Sequence, residues 1–274
     1  MGFELPEILK ISKQMGDILI GKKINNIVLT EYSSSIIKQG MSNLDTRQKD
    51  ILNSTIQKIT PKGKWIFFEF ENNNFLMFGE IIGKFLYFEN EKSLPQKFHV
   101  LFQFDDGTKM SFQSSLYAFL TVATEEEKNL HKYAGSIGHS PNEEEFTSDY
   151  FNSILLQNEK KPIKALLNIQ EQISGLGNVY INDILFEAQI HPKRKVSNLT
   201  QLEKDNLYNS IIKITTTAIE LGGSADEYDL YGNPGKYARI MDKNSPICRK
   251  CGDKIVKENV LGSSSYYCPK CQKI

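Results

Sequence analysis

The four cysteines restrict the possible fold of this chain more than any other feature of its sequence. They form two Cys-x2-Cys pairs near the C-terminus, Cys248 with Cys251 and Cys268 with Cys271, separated by residues 252–267. Each pair can turn tightly and present two thiolates to one ion, so the spacing predicts a single structural Zn²⁺ with four sulfur ligands. Such a closed ligand set leaves no open coordination position, and we expect the zinc to fold the tail rather than to catalyse.

Two disulfides in a secreted domain are the alternative for these cysteines. No apolar signal segment opens the sequence, and the chain has no cysteine outside the two pairs. Both observations favour zinc in a reducing compartment. We therefore expect a cytoplasmic protein, associated with the nucleoid if it is bacterial. The sequence also lacks a run of about 18 apolar residues, so no membrane span is predicted.

The zinc-binding tail is predicted to be a basic hairpin. Residues 242–274 contain seven lysines and arginines against three acidic residues, although the whole chain has a formal net charge of zero. Two short strands, Lys254–Lys257 and Ser264–Tyr267, are predicted on either side of Gly262. A basic face of this kind suits nucleic-acid phosphates. The alternative is that this hairpin is a solvent-exposed element that mediates protein contacts.

The rest of the sequence predicts an α+β protein. Its 274 residues, 40% of them hydrophobic, suffice for two cores. A helix begins at Pro6, and alternating apolar residues within 24–122 predict antiparallel strands of a sandwich or flattened barrel. Helical patterns follow Thr124. The predicted domains are 1–135 with the helix and β-sandwich, 136–241 with the helices, and 242–274 with the zinc hairpin.

A glycine turn in the helical part predicts a binding site. Gly175 and Gly177 separate two predicted helices, and the second helix begins at Asn178. Glycines let the backbone approach a ligand, and the free N–H groups that open a helix form a seat for phosphate. Lys164, in the first helix, is placed to neutralise the same phosphate. A sharp turn without a ligand is the alternative.

Two further segments are interpreted from local pattern. Glu4 and Glu7 flank the start of the first helix, where carboxylates interact favourably with the helix N-terminus, and spacing alone favours that structural role. Residues 224–236 contain glycine and proline among mostly polar side chains. They are predicted to form a mobile loop.

Several motifs together resemble the formamidopyrimidine-DNA glycosylase and endonuclease VIII family of DNA-repair enzymes. They occur in the family's order and span nearly the whole chain. The supporting segments are Glu4-Leu-Pro-Glu7, Gly63-Lys-Trp-Ile-Phe67, Lys164-Ala-Leu-Leu-Asn-Ile-Gln170, Gly175-Leu-Gly-Asn178-Val-Tyr180, His191-Pro192 and Tyr267-Cys-Pro-Lys-Cys-Gln272.

The resemblance implies a β-sandwich that begins with a helix, a helix-two-turns-helix domain and a zinc hairpin. It implies a monomeric DNA glycosylase that binds duplex DNA, flips out a damaged or modified base and hydrolyses its N-glycosidic bond, because the target carbon is inaccessible in a stacked duplex. By resemblance, Lys164, Gly175, Gly177 and Asn178 bind the DNA backbone. Glu4 moves protons, and Lys64 assists near the same phosphate.

The chain departs from the family at the nucleophile. The family uses the amine of an N-terminal proline to attack the sugar. Here Phe3 stands at that position and Gly2 precedes it. Gly2 is small, so we expect the initiator methionine to be removed, which leaves a free amine on Gly2. Two mechanisms stay open: attack by the Gly2 amine, or attack by water that Glu4 activates, which leaves lyase activity doubtful. A catalytically inactive protein that binds DNA lesions or structures is the alternative function.

The chain also departs from the family at three positions that the resemblance links to DNA or to the fold. Ser263 follows the hairpin glycine where the family has a phosphate-binding arginine. The family inserts a wedge that includes an arginine into the gap left by the flipped base. Gln113–Tyr117 contains no arginine, so the resemblance assigns no wedge here, and Leu116 and Tyr117 are the candidates to replace it. Asp183 stands where glutamate is more frequent.

Overall fold

The computed structural model describes residues 2–89 and 94–274. The chain forms two compact units. One comprises Met1–Ser136 and Ala225–Gly235, and the other comprises Ile137–Ser224 and Lys236–Ile274. Within the described part, no helix combines the length and apolar character that a membrane crossing requires. The predicted division into three domains stays a prediction.

The first unit begins with helix α1, Leu5–Leu19, whose start the sequence dictates. Pro6 fits the first turn because its missing N–H would have no helical partner there. Glu7 accepts a hydrogen bond from the N–H of Glu4 at 3.0 Å, and the two glutamates form a capping box. The apolar face of α1 then lies against the first core.

Two four-stranded antiparallel sheets form the body of this unit. One has the order β1-β6-β7-β5 and the other β2-β3-β4-β8. The strands are β1 (Ile24–Leu29), β2 (Ile56–Lys62), β3 (Trp65–Phe70), β4 (Asn74–Gly79), β5 (Gly83–Phe88), β6 (Val100–Phe104), β7 (Lys109–Ser114) and β8 (Phe119–Thr124). Short helices in the same unit are α2 (Ser33–Lys38), α3 (Leu44–Arg47) and α4 (Glu125–Leu130).

The core of the first unit is built mainly from aromatic rings, as their alternation along the strands predicts. Phe78 contacts Phe85 edge-to-face with ring centroids 5.0 Å apart, and Phe112 lies 4.9 Å from Phe85. Phe3 belongs to the same buried cluster as these rings. The residue before the capping box is therefore a core residue.

Residues 225–235 dock on the first unit, so the prediction of a mobile loop is wrong. Leu230 is completely buried in the first core. Its N–H donates to Gln14 Oε1 at 3.0 Å, and its carbonyl accepts from Tyr87 at 3.0 Å. Asp229 accepts from Gln14 Nε2 at 2.9 Å. One buried leucine within a polar, glycine-rich segment gave no periodic pattern by which docking could be predicted.

The second unit contains the predicted helices and the zinc hairpin. Its helices are α5 (Ser148–Gln157), α6 (Ile163–Leu167), α7 (Asn178–Glu187) and α8 (Gln201–Glu220). Thr200 and Glu203 form the predicted capping box at the start of α8. The antiparallel strands β9 (Val256–Val260) and β10 (Ser263–Tyr267) form the hairpin, and β10 packs on α7.

We predict that Leu230→Ala destabilises the first unit. Removing a completely buried leucine leaves a cavity, which costs about 2–5 kcal/mol of the free energy of unfolding. Chemical denaturation measured by circular dichroism gives this difference. The control is Leu202→Ala on α8, where the side chain is 69% exposed and the change should be below about 0.5 kcal/mol. Equal effects of the two substitutions would contradict docking of the segment.

Candidate functional site

The four cysteines lie together as a tetrahedral metal site requires. All four sulfurs are within 4.8 Å of one another, and the thiols are free rather than paired in disulfides. Cys248 Sγ lies 3.8 Å from Cys271 Sγ, and Cys251 Sγ lies 3.5 Å from Cys268 Sγ. A tetrahedron with Zn–S bonds of about 2.3 Å has edges of about 3.8 Å. The thiolates therefore fit one structural Zn²⁺, and every ligand position is taken.

Tight turns shape both cysteine pairs. Gly252 adopts a φ of +75° and donates its N–H to the carbonyl of Cys248 at 2.9 Å. The N–H of Gln272 donates to the carbonyl of Cys268 at 2.9 Å. The side chain of Gln272 also donates to the carbonyl of Ile190 at 3.0 Å, which attaches the second turn to the helical part of the unit.

Lys164 joins α6 to the hairpin. Its ammonium is buried and donates to the hydroxyls of Ser263 at 2.9 Å and Ser265 at 2.6 Å. Burial lowers the pKa of Lys164 to about 8, because the charged form loses water. Ser265 was not identified from the sequence. It lies two residues after Ser263. Side chains two residues apart in a strand point to the same face, so the position of Ser263 in β10 would have identified Ser265.

Asn178 and the glycines lie beside this lysine. Asn178 opens α7, and its side chain donates to the carbonyl of Ser264 at 2.9 Å. Gly177 is the extended residue that precedes the helix, and Gly175 has a φ of +85°, which favours glycine. Gln170 fixes the turn by accepting from the N–H of Gly175 at 3.0 Å.

A cavity of about 230 Å³ unites most of the predicted DNA-binding residues. Lys164 is the one charged side chain among its lining residues, so the cavity is suited to an anion. The lining residues are Lys164, Ala165, Asn168, Asn178, Ile181, Leu261 and Ser263. Gly175 and Gly177 are not among them; they lie in the turn that leads into α7.

The residue at the family's proline position is fixed in the core. Phe3 is 1% exposed, and its ring centroid lies 6.3 Å from that of Phe85. Its backbone nitrogen is a peptide nitrogen that donates to the carbonyl of Ile81 at 2.8 Å. Gly2 is confined as well, since a Cβ there would lie 3.1 Å from Ile81 O and 3.1 Å from Ile82 Cγ1. Phe3 therefore has no free amine with which to attack a sugar.

Four further predicted residues lie in the first unit. The side chain of Glu4 is buried at the start of α1. Lys64 is half-buried, and its Nζ lies 3.6 Å from Glu80 Oε2. Leu116 is 75% exposed in the connection between β7 and β8, whereas Tyr117 contacts Phe119 edge-to-face. Of the two candidate wedge residues, Leu116 is the side chain that is available to a partner.

Asp183 has a structural role. Its buried carboxylate accepts hydrogen bonds from the Tyr237 hydroxyl at 2.9 Å, from Ile240 N at 2.9 Å and from Met241 N at 2.7 Å. Burial raises the pKa of Asp183, while these donors oppose the rise. The shorter aspartate thus connects α7 to the segment that leads into the zinc-binding tail.

Three family models match consecutive parts of the chain. Residues 3–115 match the formamidopyrimidine-DNA glycosylase N-terminal domain, and residues 137–228 match the formamidopyrimidine-DNA glycosylase H2TH domain. Residues 248–274 match the zinc finger found in FPG and IleRS. The matches define a class of proteins that join a glycosylase N-terminal domain to an H2TH domain and a zinc finger.

Relatives match over nearly the full length. A formamidopyrimidine-DNA glycosylase of Cytobacillus firmus is 31% identical, over 98% of this chain and 99% of the relative. A formamidopyrimidine-DNA glycosylase of Enterococcus faecalis is 28% identical, over 99% of this chain and 97% of the relative. The structure of MutM in complex with carbocyclic 8-oxo-G containing DNA has a TM-score of 0.86 and 27% identity, covering 99% of this chain and 100% of that one. The complex between Lactococcus lactis FPG and FAPY-dG containing DNA has a TM-score of 0.85 and 28% identity, and it covers 99% of this chain and 100% of that one.

The chain belongs to the formamidopyrimidine-DNA glycosylase family. The predicted family and α+β fold class are confirmed by the domain matches and by the similar structures. The predicted single structural zinc is confirmed by the zinc-finger match together with the clustered thiols. The roles of individual site residues stay predictions.

We predict that the protein binds one zinc per chain and that Cys268→Ser abolishes stoichiometric binding. Loss of one thiolate opens the closed ligand set, and the hairpin that holds Ser263 and Ser265 loses its fixed position. Elemental analysis gives the zinc content, and circular dichroism shows whether the β-rich unit stays folded. Ser245→Ala, near the first pair, is the control and should keep its zinc. Purified wild-type protein without stoichiometric zinc would contradict the prediction.

Proposed function

We propose that this protein is a DNA glycosylase that binds duplex DNA, flips out a damaged or modified base and hydrolyses its N-glycosidic bond. The observation that carries the proposal is the cavity at the start of α7, where Lys164 and Asn178 lie together. The structures of MutM and of Lactococcus lactis FPG with lesion-containing DNA support it, because they match the chain almost completely.

A backbone phosphate fits the cavity at the start of α7. The ammonium of Lys164 supplies the positive charge, and the first N–H groups of the ten-residue helix supply donors. Ser263 replaces the arginine of the family, but its hydroxyl holds Lys164 at 2.9 Å. We propose that Lys164 provides the charge that the missing arginine would have given. Contacts of this kind position the duplex without reading its sequence.

Water activated by Glu4 is the proposed nucleophile. The N–H of Phe3 is bonded to Ile81. A free amine at Gly2, which requires removal of Met1, lies one residue before Phe3. One residue spans up to about 3.3–3.6 Å, which is comparable with the whole near-attack distance of about 3–3.5 Å. An amine at Gly2 therefore cannot keep the family's geometry unchanged. A buried carboxylate at Glu4 can accept a proton from water instead.

Lys64 and Leu116 complete the proposed site. Lys64 is proposed to leave Glu80 and to bind a DNA phosphate instead. The ion pair between Lys64 and Glu80 is weak enough to allow this change of partner. Leu116 is proposed to enter the duplex where the base has left, because apolar side chains that insert between base steps stabilise an unstacked duplex. We further propose that the protein acts in the cytoplasm.

A catalytically inactive protein that binds lesions is the second candidate, and the burial of Phe3 favours it. Duplexes that contain 8-oxoguanine, FAPY-dG, oxidised pyrimidines or an abasic site separate the two functions. Base release is measured after the reacted duplex is heated in alkali. Strand scission by the protein itself is measured without that heating. A glycosylase releases at least one base with little scission. Tight binding without any release would establish the inactive function instead.

We predict that Lys164→Ala weakens binding to every duplex and lowers the slope of log affinity against log salt by about one. Binding of the wild-type protein should also weaken as pH rises through about 8, because the ammonium loses its charge there. Fluorescence anisotropy measures both effects. Asn178→Ala should weaken binding with a smaller change of slope.

Two variants serve as controls for the Lys164 prediction. Lys164→Arg keeps its charge above pH 8 and should remove the pH dependence. Lys160→Ala changes an exposed lysine outside the cavity and should leave the affinity within about threefold. An unchanged salt slope for Lys164→Ala would contradict the phosphate contact.

We predict little covalent trapping when the protein is incubated with lesion duplexes and borohydride, because no amine occupies the proline position. Base release should depend on Glu4, and Glu4→Gln should lower its rate by about 10²–10⁴-fold, the usual contribution of a general base. Lys10→Gln, an exposed change on the same helix, is the control. Efficient trapping that disappears when the Gly2 amine is acetylated would show that the amine is the nucleophile.

A further inference from the structure

An exposed leucine lies at the tip of the zinc hairpin. Leu261 and Gly262 form the two-residue connection between β9 and β10, and the cross-strand pair of Val260 with Ser263 closes it. Leu261 is 62% exposed, whereas its neighbour Val260 is 3% exposed. The hairpin therefore buries the valine within the unit and leaves most of the leucine in solvent.

The backbone at this tip is unfavourable for leucine. Leu261 has a φ of +56° and Gly262 has a φ of +79°, and a type I′ turn requires positive φ at both central residues. Glycine and asparagine adopt this conformation readily, whereas the Cβ of leucine crowds the neighbouring carbonyl there. Neither the turn nor the core therefore explains why a leucine occupies this position.

The cavity at the start of α7 offers an explanation. Leu261 lines this cavity together with Lys164 and Asn178. Ala165 and Ile181 add further apolar atoms to the lining. The cavity thus combines one ammonium group with several aliphatic side chains. An inorganic phosphate would use only the charged and polar groups, whereas a backbone phosphate carries deoxyribose carbons that can pack against aliphatic side chains.

We propose that Leu261 packs against the deoxyribose next to the phosphate that Lys164 binds. The inference rests on the proposed function and adds a residue to its DNA-binding cavity. The contact removes apolar surface of both partners from water. It also excludes water from the pair of ammonium and phosphate, whose attraction is stronger where water is absent. Since every nucleotide carries this sugar, the contact holds the duplex without reading its sequence.

The test uses a substitution that favours the turn and removes the apolar side chain. Leu261→Asn places asparagine before Gly262, and Asn-Gly is a preferred pair in type I′ turns. The full zinc-containing protein should therefore keep its zinc, and its melting temperature should not fall. Its affinity for a duplex with a tetrahydrofuran abasic site, measured by fluorescence anisotropy, should fall at least about fivefold because the apolar contact is lost.

The salt dependence distinguishes this contact from a phosphate contact. Counterion release depends on the number of phosphates that the protein neutralises, so Leu261→Asn should leave the slope of log affinity against log salt unchanged. Leu261→Met keeps an apolar side chain and should stay within about threefold of the wild-type affinity. The matched control is Leu202→Asn on α8, which is 69% exposed and outside the cavity lining, and it should leave the affinity unchanged.

An unchanged duplex affinity or an altered salt slope in Leu261→Asn would overturn the role of Leu261. So would a weaker affinity accompanied by loss of zinc or by a lower melting temperature, because the substitution would then act on the hairpin itself. Base release from lesion duplexes, measured on the same proteins, separates this inference from the proposed function. Wild-type protein that releases no base, with a duplex affinity that Leu261→Asn still lowers, would overturn the proposed catalysis and support the sugar contact.

Discussion

The hydrogen bonds between Lys164 and the serines of β10 connect most of the proposed DNA-binding site. A buried ammonium is costly unless its donors are satisfied, and the hydroxyls of Ser263 and Ser265 satisfy two of them. Those hydroxyls stay in place because the zinc closes the hairpin on which they lie. The metal therefore acts on the site through β10, by fixing a lysine that belongs to a different part of the same unit.

The two units divide the proposed work between them. The second unit contains the cavity that we propose binds a backbone phosphate, built from a helix start, an amide and one cation. Phosphate contacts of this kind hold a duplex without recognising its bases. The first unit contains buried carboxyls at the start of α1 and an exposed leucine in the connection after β7. Under the proposed function, phosphate binding would depend on charge and screening, whereas base release would depend on proton transfer by a buried carboxyl. Substitutions in the two units should accordingly affect different measurements.

Much of this arrangement was predictable from the sequence, and the exceptions have physical causes. The zinc ligands follow from spacing alone, and Lys164 with Asn178 follows from a helix, a glycine turn and a second helix. The docking of 225–235 was not predictable, because it depends on the burial of one leucine, Leu230, and on bonds to Gln14, which is distant in sequence. The burial of Glu227 in the same segment was not predictable for the same reason. A lone glutamate among polar residues has no period, and its burial is decided by tertiary contacts.

The hydrogen bond from Phe3 to Ile81 has a consequence for how the protein can be made. An enzyme that attacks with its terminal amine depends on faithful processing of its first residue, and any extension there destroys the nucleophile. In this chain the segment is held by a side chain in the core and by a peptide N–H. The proposed attack by water needs no free amine, so we expect an affinity tag or fusion partner ahead of Gly2 to leave base release intact.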